Sequence, residues 1–160
     1  MTTIAYKNGV LAADSRMTKP DGTLVTDTYS KIVNCEGLDY TIQGEEVLAF
    51  ALSGVAKARS VLAYALAEGI TVASALDTDD YFSAIIVTEE RAYYVAKDEE
   101  SAQISLLAVE EGEPFTCGTG GKIAHHYLLH YGADPVEAVV QAIKSDVFSG
   151  GEVERWSRAE

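Results

Sequence analysis

The chain has 160 residues and a formal net charge of -13, from 25 acidic and 12 basic side chains. With 48% hydrophobic and 23% charged residues, its composition is that of a globular protein, not of a disordered one. The excess of carboxylates excludes binding to nucleic acid or anionic membrane through bulk charge, because both require a basic surface. No apolar run approaches the about 20 residues of a membrane span. We therefore expect one domain over residues 1–160, with no nucleic-acid or membrane partner.

Cysteine content and the N-terminus indicate the compartment. Cys35 and Cys117 are too few and too isolated for a disulfide scaffold or a zinc cage. The first residues carry no basic region and no long apolar stretch, so no signal peptide is predicted. We expect reduced core thiols in a cytoplasmic protein. Because Thr2 is small, a cytoplasmic methionine aminopeptidase could remove Met1 and leave Thr2 as the first residue.

The first half of the chain is predicted to consist mostly of strands. The pair Asn8-Gly9 lies between two apolar, β-prone runs, which is the strongest short signal for a hairpin with a type I′ turn. A two-residue turn fixes the register and pairs Thr3 with Asp14, so that this carboxylate lies beside the start of the chain. Strands are predicted at residues 3–7, 10–14, 23–26, 31–34, 40–42 and 47–52.

Two helices have clear boundary signals. Residues 55–68 carry apolar side chains at helical spacing, and Gly69 follows at the position typical of a helix end. Asp134, Pro135 and Glu137 mark the start of a second helix that runs to residue 144. The other predicted elements are strands at residues 82–88, 91–96 and 104–109, a strand end and glycine-rich turn at 115–121, a helix at 122–131, and a short charged tail at 152–160.

This order of elements is neither βαβ alternation nor all-β. It suits two antiparallel sheets packed on each other with helices outside, since each sheet must bury a face. The predicted class is α+β, and the predicted architecture is a four-layer αββα sandwich.

Six motifs occur in an order that is specific in combination. They are Thr-Thr-Ile at 2–4, Gly-Val-Leu-Ala-Ala-Asp-Ser-Arg at 9–16, Lys-Ile-Val at 31–33, Leu-Ser-Gly at 52–54, Cys-Gly-Thr-Gly-Gly at 117–121, and Asp-x-x-Ser-Gly at 146–150. Together they resemble a proteasome β subunit or its bacterial HslV-type relative. The resemblance covers residues 2–151 and implies the fold of N-terminal nucleophile (Ntn) hydrolases, with a shorter N-terminal hairpin and a shortened C-terminal part.

The resemblance also implies a threonine-type peptidase. A neutral hydroxyl needs a base, and the α-amine of the same residue can serve because its ordinary pKa is about 8. Thr2 would therefore supply both nucleophile and base. Lys31 would lie close and lower the pKa of the amine, and Asp14 would pair with Lys31.

The other implied site residues surround this centre. The Gly54 N–H would stabilise the tetrahedral oxyanion. Thr119, which replaces the usual serine, would form a hydrogen-bonded shell around the amine together with Asp146 and Ser149.

By the same resemblance we expect a polypeptide substrate, a homo-oligomeric ring and an ATP-driven unfoldase as partner. The chain has no ATPase motif, so no cofactor is expected and any ATP use belongs to the partner. His126 and His130 lie one helical turn apart but lack a third ligand, so no metal is predicted. Two alternatives stay open: a non-catalytic structural or binding protein of the same fold, and an Ntn amidase acting on small amides.

Overall fold

The structure is a computed structural model that describes residues 2–158. The chain divides into two compact units, one formed by residues up to Ile32 and from Glu111 onward, the other by Val33–Glu110. In chain order the elements are β1 (Ile4–Lys7), β2 (Val10–Ala13), β3 (Met17–Thr18), β4 (Leu24–Thr26), β5 (Ile32–Asn34), β6 (Thr41–Ile42), β7 (Glu45–Gly54), α1 (Ala58–Glu68), β8 (Phe82–Thr88), β9 (Ala92–Lys97), β10 (Ser105–Val109), β11 (Phe115–Cys117), α2 (Gly121–His130), α3 (Pro135–Ile143) and β12 (Glu154–Ser157).

The N-terminal hairpin of β1 and β2 forms as predicted. Asn8 and Gly9 both have positive φ, 51° and 80°, as a type I′ turn requires. The register pairs the strands from Ile4↔Ala13 to Lys7↔Val10. The N–H of Asp14 then donates to the carbonyl of Thr3 at 3.1 Å, which extends the ladder by one residue. The turn thereby places Asp14 next to the start of the chain.

The first unit is built on a four-stranded antiparallel sheet in the order β11-β1-β2-β12. Small side chains on β1 and β2, Ala5 and Ala12, are fully buried and let α2 and α3 pack closely on this face. Helix α3 begins as predicted, because the Asp134 carboxylate accepts from the N–H of Glu137 at 2.8 Å. The buried helix side chains of this core are Ala124, Leu128, Ala138, Val139 and Ala142.

The C-terminal segment differs from its prediction as a short charged tail. Residues 154–157 form β12, which pairs with β2 from Glu154↔Ala13 to Ser157↔Val10. The strand lies at the edge of its sheet, where charged side chains are ordinary. The predicted tail is therefore wrong over these residues, and β12 completes the sheet that carries Asp14.

The second unit holds a sheet in the order β10-β9-β8-β7-β5, with β6 paired to β7. Helix α1 packs on it through Leu62 and Leu66, which belong to one cluster with Phe50 and Ile86. The helix begins at Ala58, three residues later than predicted, because residues 55–57 form a turn. In the described part of the chain, no helix is both long and apolar enough to cross a bilayer.

Candidate active site

A buried lysine joins the start of the chain to the end of β2. The Lys31 ammonium donates to Thr2 Oγ1 at 2.6 Å and to Asp14 Oδ1 at 2.6 Å. Lys31 is 5% exposed and Asp14 is fully buried. The predicted Asp14–Lys31 ion pair is therefore present, and it lies in direct contact with the Thr2 hydroxyl.

The Asp14 carboxylate is held by backbone donors as well as by Lys31. Its Oδ1 accepts from the N–H of Thr3 at 3.0 Å, and its Oδ2 accepts from the N–H of Gly150 at 3.0 Å and of Arg16 at 3.3 Å. A buried charge is tolerated only when it is paired and hydrogen-bonded, and this carboxylate meets both conditions. Asp14 is thus a rigid anchor for the Lys31 ammonium.

Burial lowers the pKa of Lys31 below its ordinary value of 10.5. The negative charges of Asp14, Glu154 and Asp146 act in the opposite direction, and removal from water outweighs them. Because of this lowered pKa, Lys31 loses its proton and becomes a neutral amine at a lower pH than an exposed lysine does. Lys31 is consequently suited both to stabilise negative charge and to exchange a proton at Thr2 Oγ1.

A second cluster of polar side chains is centred on Asp146. Its Oδ2 accepts from Thr119 Oγ1 and from Ser149 Oγ, each at 2.6 Å. Ser149 Oγ in turn lies 2.7 Å from Thr3 Oγ1. The cluster therefore meets the N-terminal segment through the side chain of Thr3. The hydroxyl of Thr119 makes the hydrogen bond to Asp146 that a serine could make at this position.

The glycine-rich turn before α2 approaches the N-terminus closely. The N–H of Gly120 donates to the carbonyl of Thr2 at 3.3 Å. A Cβ on Gly120 would lie 1.9 Å from Thr3 Oγ1 and 3.1 Å from Asp146 Oδ2. A side chain at position 120 would prevent this approach. Glycine therefore allows the turn to donate its backbone N–H to the carbonyl of Thr2.

Gly54, the predicted oxyanion donor, lies in the second unit at the end of β7. Its φ is +126°, and a Cβ there would lie 2.6 Å from the Tyr81 carbonyl oxygen and 2.8 Å from Phe82 Cα. Both facts require glycine at this position. The role of its N–H toward an oxyanion stays a prediction.

Sequence reasoning missed Arg16 and Glu154 as contributors to this site. Arg16 forms a bidentate ion pair with Asp27 (Nε to Oδ1 2.7 Å, Nη2 to Oδ2 3.1 Å) and donates to the carbonyl of Val147 at 3.0 Å. It thereby ties the loop after α3 to the segment that follows β2. Its place in the motif at 9–16 was a usable signal. The other contributor is Glu154, which hydrogen-bonds the backbone of Lys31 and gives no local signal in the sequence.

The histidines of α2 are not part of this cluster. The ring centroids of His126 and His130 lie 4.8 Å apart, and both residues are exposed. Within residues 2–158, no group of three or more His, Cys, Asp or Glu side chains is arranged to hold a metal ion. Both cysteines are buried thiols, as predicted.

Comparison with solved structures decides the fold. Eukaryotic HslV from Trypanosoma brucei matches with a TM-score of 0.65 and 14% sequence identity, over 97% of each chain. This chain has the HslV fold. Thiobacillus denitrificans BPH in complex with epoxomicin matches with a TM-score of 0.61 and 15% identity, over 99% of each chain. A further structure of Thiobacillus denitrificans BPH matches with a TM-score of 0.58 and 16% identity, over 97% of this chain and 95% of that chain.

These likenesses concern the fold, and they confirm the predicted α+β class and the Ntn-hydrolase fold. No protein-family model and no curated protein sequence matches this chain. The chemistry of the site consequently depends on its own side chains.

Proposed function

We propose that this chain is an N-terminal threonine peptidase that uses Thr2 as its nucleophile after removal of Met1. The observation that carries the proposal is the Lys31 ammonium, which bridges Thr2 Oγ1 and the buried Asp14 carboxylate. A hydroxyl that accepts from a buried ammonium has its alkoxide form stabilised, which suits it to the role of nucleophile. Met1 itself lies outside the described residues.

The reaction proceeds through an ester on Thr2. Thr2 Oγ1 attacks the carbonyl carbon of the scissile peptide bond, and its proton passes to the free α-amine of Thr2, directly or through one water. The amine then protonates the leaving nitrogen as the C–N bond breaks. Water attacks the ester with the same amine as base, which releases the carboxylic acid and restores the Thr2 hydroxyl.

The other residues of the site support these steps. Lys31 lowers the pKa of the α-amine by its charge and stabilises the alkoxide of Thr2 as it forms. Asp14 holds Lys31 in place. The Gly54 N–H stabilises the oxyanion, a role worth about 3 kcal/mol for donors of this kind. Thr119, Asp146 and Ser149 orient the N-terminal segment through Thr3 and Gly120.

The proposal includes the assembly. HslV and BPH share the fold over nearly their full length, and on that basis we propose a homo-oligomeric ring that admits polypeptides to enclosed sites. An ATP-driven unfoldase would supply extended substrate, since this chain carries no ATPase motif of its own.

Mass spectrometry and peptide hydrolysis test the proposal. The expressed protein should lack Met1, and it should cleave fluorogenic peptide amides. Thr2→Ala and Lys31→Ala should abolish cleavage, whereas Lys19→Ala, at an exposed lysine, should leave it unchanged. Epoxomicin, with which BPH forms a complex, should inhibit the wild type. Wild-type activity in both site variants would refute the proposal.

The two alternative functions give different results. A free Thr2 without any amide hydrolysis is the outcome expected for a non-catalytic protein of this fold. Cleavage of small amides by a monomer, established by size-exclusion chromatography with light scattering, identifies the amidase.

A further inference from the structure

The carboxylate of Glu154 binds three consecutive residues around Lys31. Its Oε1 accepts from the backbone N–H of Lys31 at 3.0 Å. Its Oε2 accepts from Ser30 Oγ at 3.0 Å and from the N–H of Ile32 at 3.4 Å. A single side chain therefore satisfies the backbone donors at the start of β5, which Lys31 directly precedes.

The sheet places this carboxylate beside the reactive cluster. Glu154 lies on β12 and pairs with Ala13 on β2, the residue that precedes Asp14. Lys31 is thus held at both ends by carboxylates, one directly after β2 and the other on β12. Asp14 binds its ammonium, and Glu154 binds its backbone.

We propose that Glu154 is a positioning residue that fixes Lys31 so that its ammonium reaches Thr2 Oγ1 and Asp14 together. The consequence for hydrolysis rests on the threonine peptidase function proposed above. A lysine side chain has four rotatable bonds, so a fixed position of its ammonium requires a fixed backbone at the same residue. The hydrogen bonds of Glu154 hold this backbone from the edge strand of the sheet.

Glu154 also contributes charge at this site. Its carboxylate favours the charged form of Lys31, as do those of Asp14 and Asp146, while burial disfavours it. Arg16, in the segment after β2, also interacts with the carboxylates of Asp14 and Asp146, and in the processed protein the α-amine of Thr2 joins this group. Removal of the Glu154 charge should accordingly lower the pKa of Lys31 further.

Two substitutions of Glu154 test the inference by kinetics. Glu154→Ala removes all three contacts, and Glu154→Gln removes the charge while keeping one acceptor oxygen. We expect Glu154→Ala to reduce kcat by about 10- to 100-fold with little change in KM, as misplacement of a catalytic group does, and Glu154→Gln to reduce it less. In both, the alkaline limb of the pH–rate profile should move to lower pH. Glu152→Gln, at an exposed glutamate two residues away, is the matched control.

A second measurement does not depend on activity. With ¹³C-labelled lysine, NMR should give a lower pKa for Lys31 in Glu154→Gln than in the wild type. The backbone amides of Lys31 and Ile32 should exchange faster with solvent in Glu154→Ala. If the wild type proves inactive, the proposed peptidase function fails, and these two readouts still decide the role of Glu154.

Two results would overturn the inference. One is that both variants keep the kcat, the pH profile, the Lys31 pKa and the amide exchange rates of the wild type. The other is a lowered kcat in a folded variant whose pH profile and Lys31 pKa are unchanged, which assigns Glu154 a structural role alone.

Discussion

Thr3 Oγ1 and Ser149 Oγ lie 2.7 Å apart, although 146 residues separate them along the chain. This hydrogen bond connects the segment before β1 to the loop that follows α3. Because Ser149 also donates to Asp146, the polar shell and the N-terminus form one connected network. The neighbour of the proposed nucleophile is thereby tied to the loop after α3.

Replacing Thr3 by valine should test this connection. The side chain is fully buried, and valine keeps its shape while removing the hydroxyl. We expect Thr3→Val to lower the free energy of unfolding by about 1–2 kcal/mol, which for a chain of this size corresponds to a fall in Tm of about 2–4 °C per kcal/mol. Chemical denaturation of Thr3→Val, Ser149→Ala and the double variant gives the coupling energy. Additive effects, within about 0.5 kcal/mol, would show that the hydroxyls do not interact.

The lowered pKa of Lys31 predicts a pH dependence of stability. Between that lowered pKa and the ordinary value of 10.5, the unfolded state binds more protons at this lysine than the folded state does. Stability from this group therefore rises with pH through that window. We expect the difference in unfolding free energy between the wild type and Lys31→Met to grow in favour of the wild type as pH rises toward 10.5. A difference that stays flat across the window contradicts the shift.

Two adjacent glycines before and in α2 should respond differently to alanine. At Gly120 a Cβ would overlap Thr3 Oγ1, so Gly120→Ala should destabilise the protein by about 1–3 kcal/mol, as overpacking of a core does. At Gly121 the nearest atom, Thr116 Oγ1, lies 3.4 Å away. Gly121→Ala should be neutral, or stabilising by up to about 1 kcal/mol. Thermal unfolding of the pair checks the contrast, and equal losses in both variants would argue against the close approach at Gly120.

Burial raises the pKa of the Cys35 thiol to about 11. The thiolate is the reactive form, so Cys35 should resist alkylation in the native protein at neutral pH and react after unfolding. A Cys117→Ser variant isolates its signal, and mass spectrometry counts the modified thiols. Between its ordinary value of 9.0 and about 11, the folded state binds more protons at this thiol, so its contribution to stability falls as pH rises. Rapid alkylation of Cys35 under native conditions would contradict the burial.

Local signals predicted the parts of the fold that local interactions decide. The Asn8-Gly9 turn alone fixed the register that brings Asp14 to Thr3. The N-cap of Asp134 correctly placed the start of α3. In both cases the interaction spans a few residues, so the residues next to one another in the sequence are enough to predict it.

Long-range pairing escaped the same reasoning. Strand β12 is short and bears charged side chains, and it becomes a strand because β2 offers it an open edge. The predicted start of α1 is too early, because apolar residues at helical spacing do not reveal the turn at 55–57. The contact of Glu154 with Lys31 joins residues 123 positions apart. The predicted shell of Thr119, Asp146 and Ser149 forms, but it meets the N-terminal segment through Thr3, which the sequence did not single out.

The sheet of the first unit orders events during synthesis. Its strands β1 and β2 are synthesised before β11 and β12, which flank them and come from residues 115–117 and 154–157. A nascent chain therefore carries the hairpin with Asp14 long before Asp146, Ser149 and Glu154 exist to complete its surroundings. The surroundings of Asp14 are therefore completed only after residues 146–154 have been synthesised, so assembly of this sheet is a late event in the folding of the first unit.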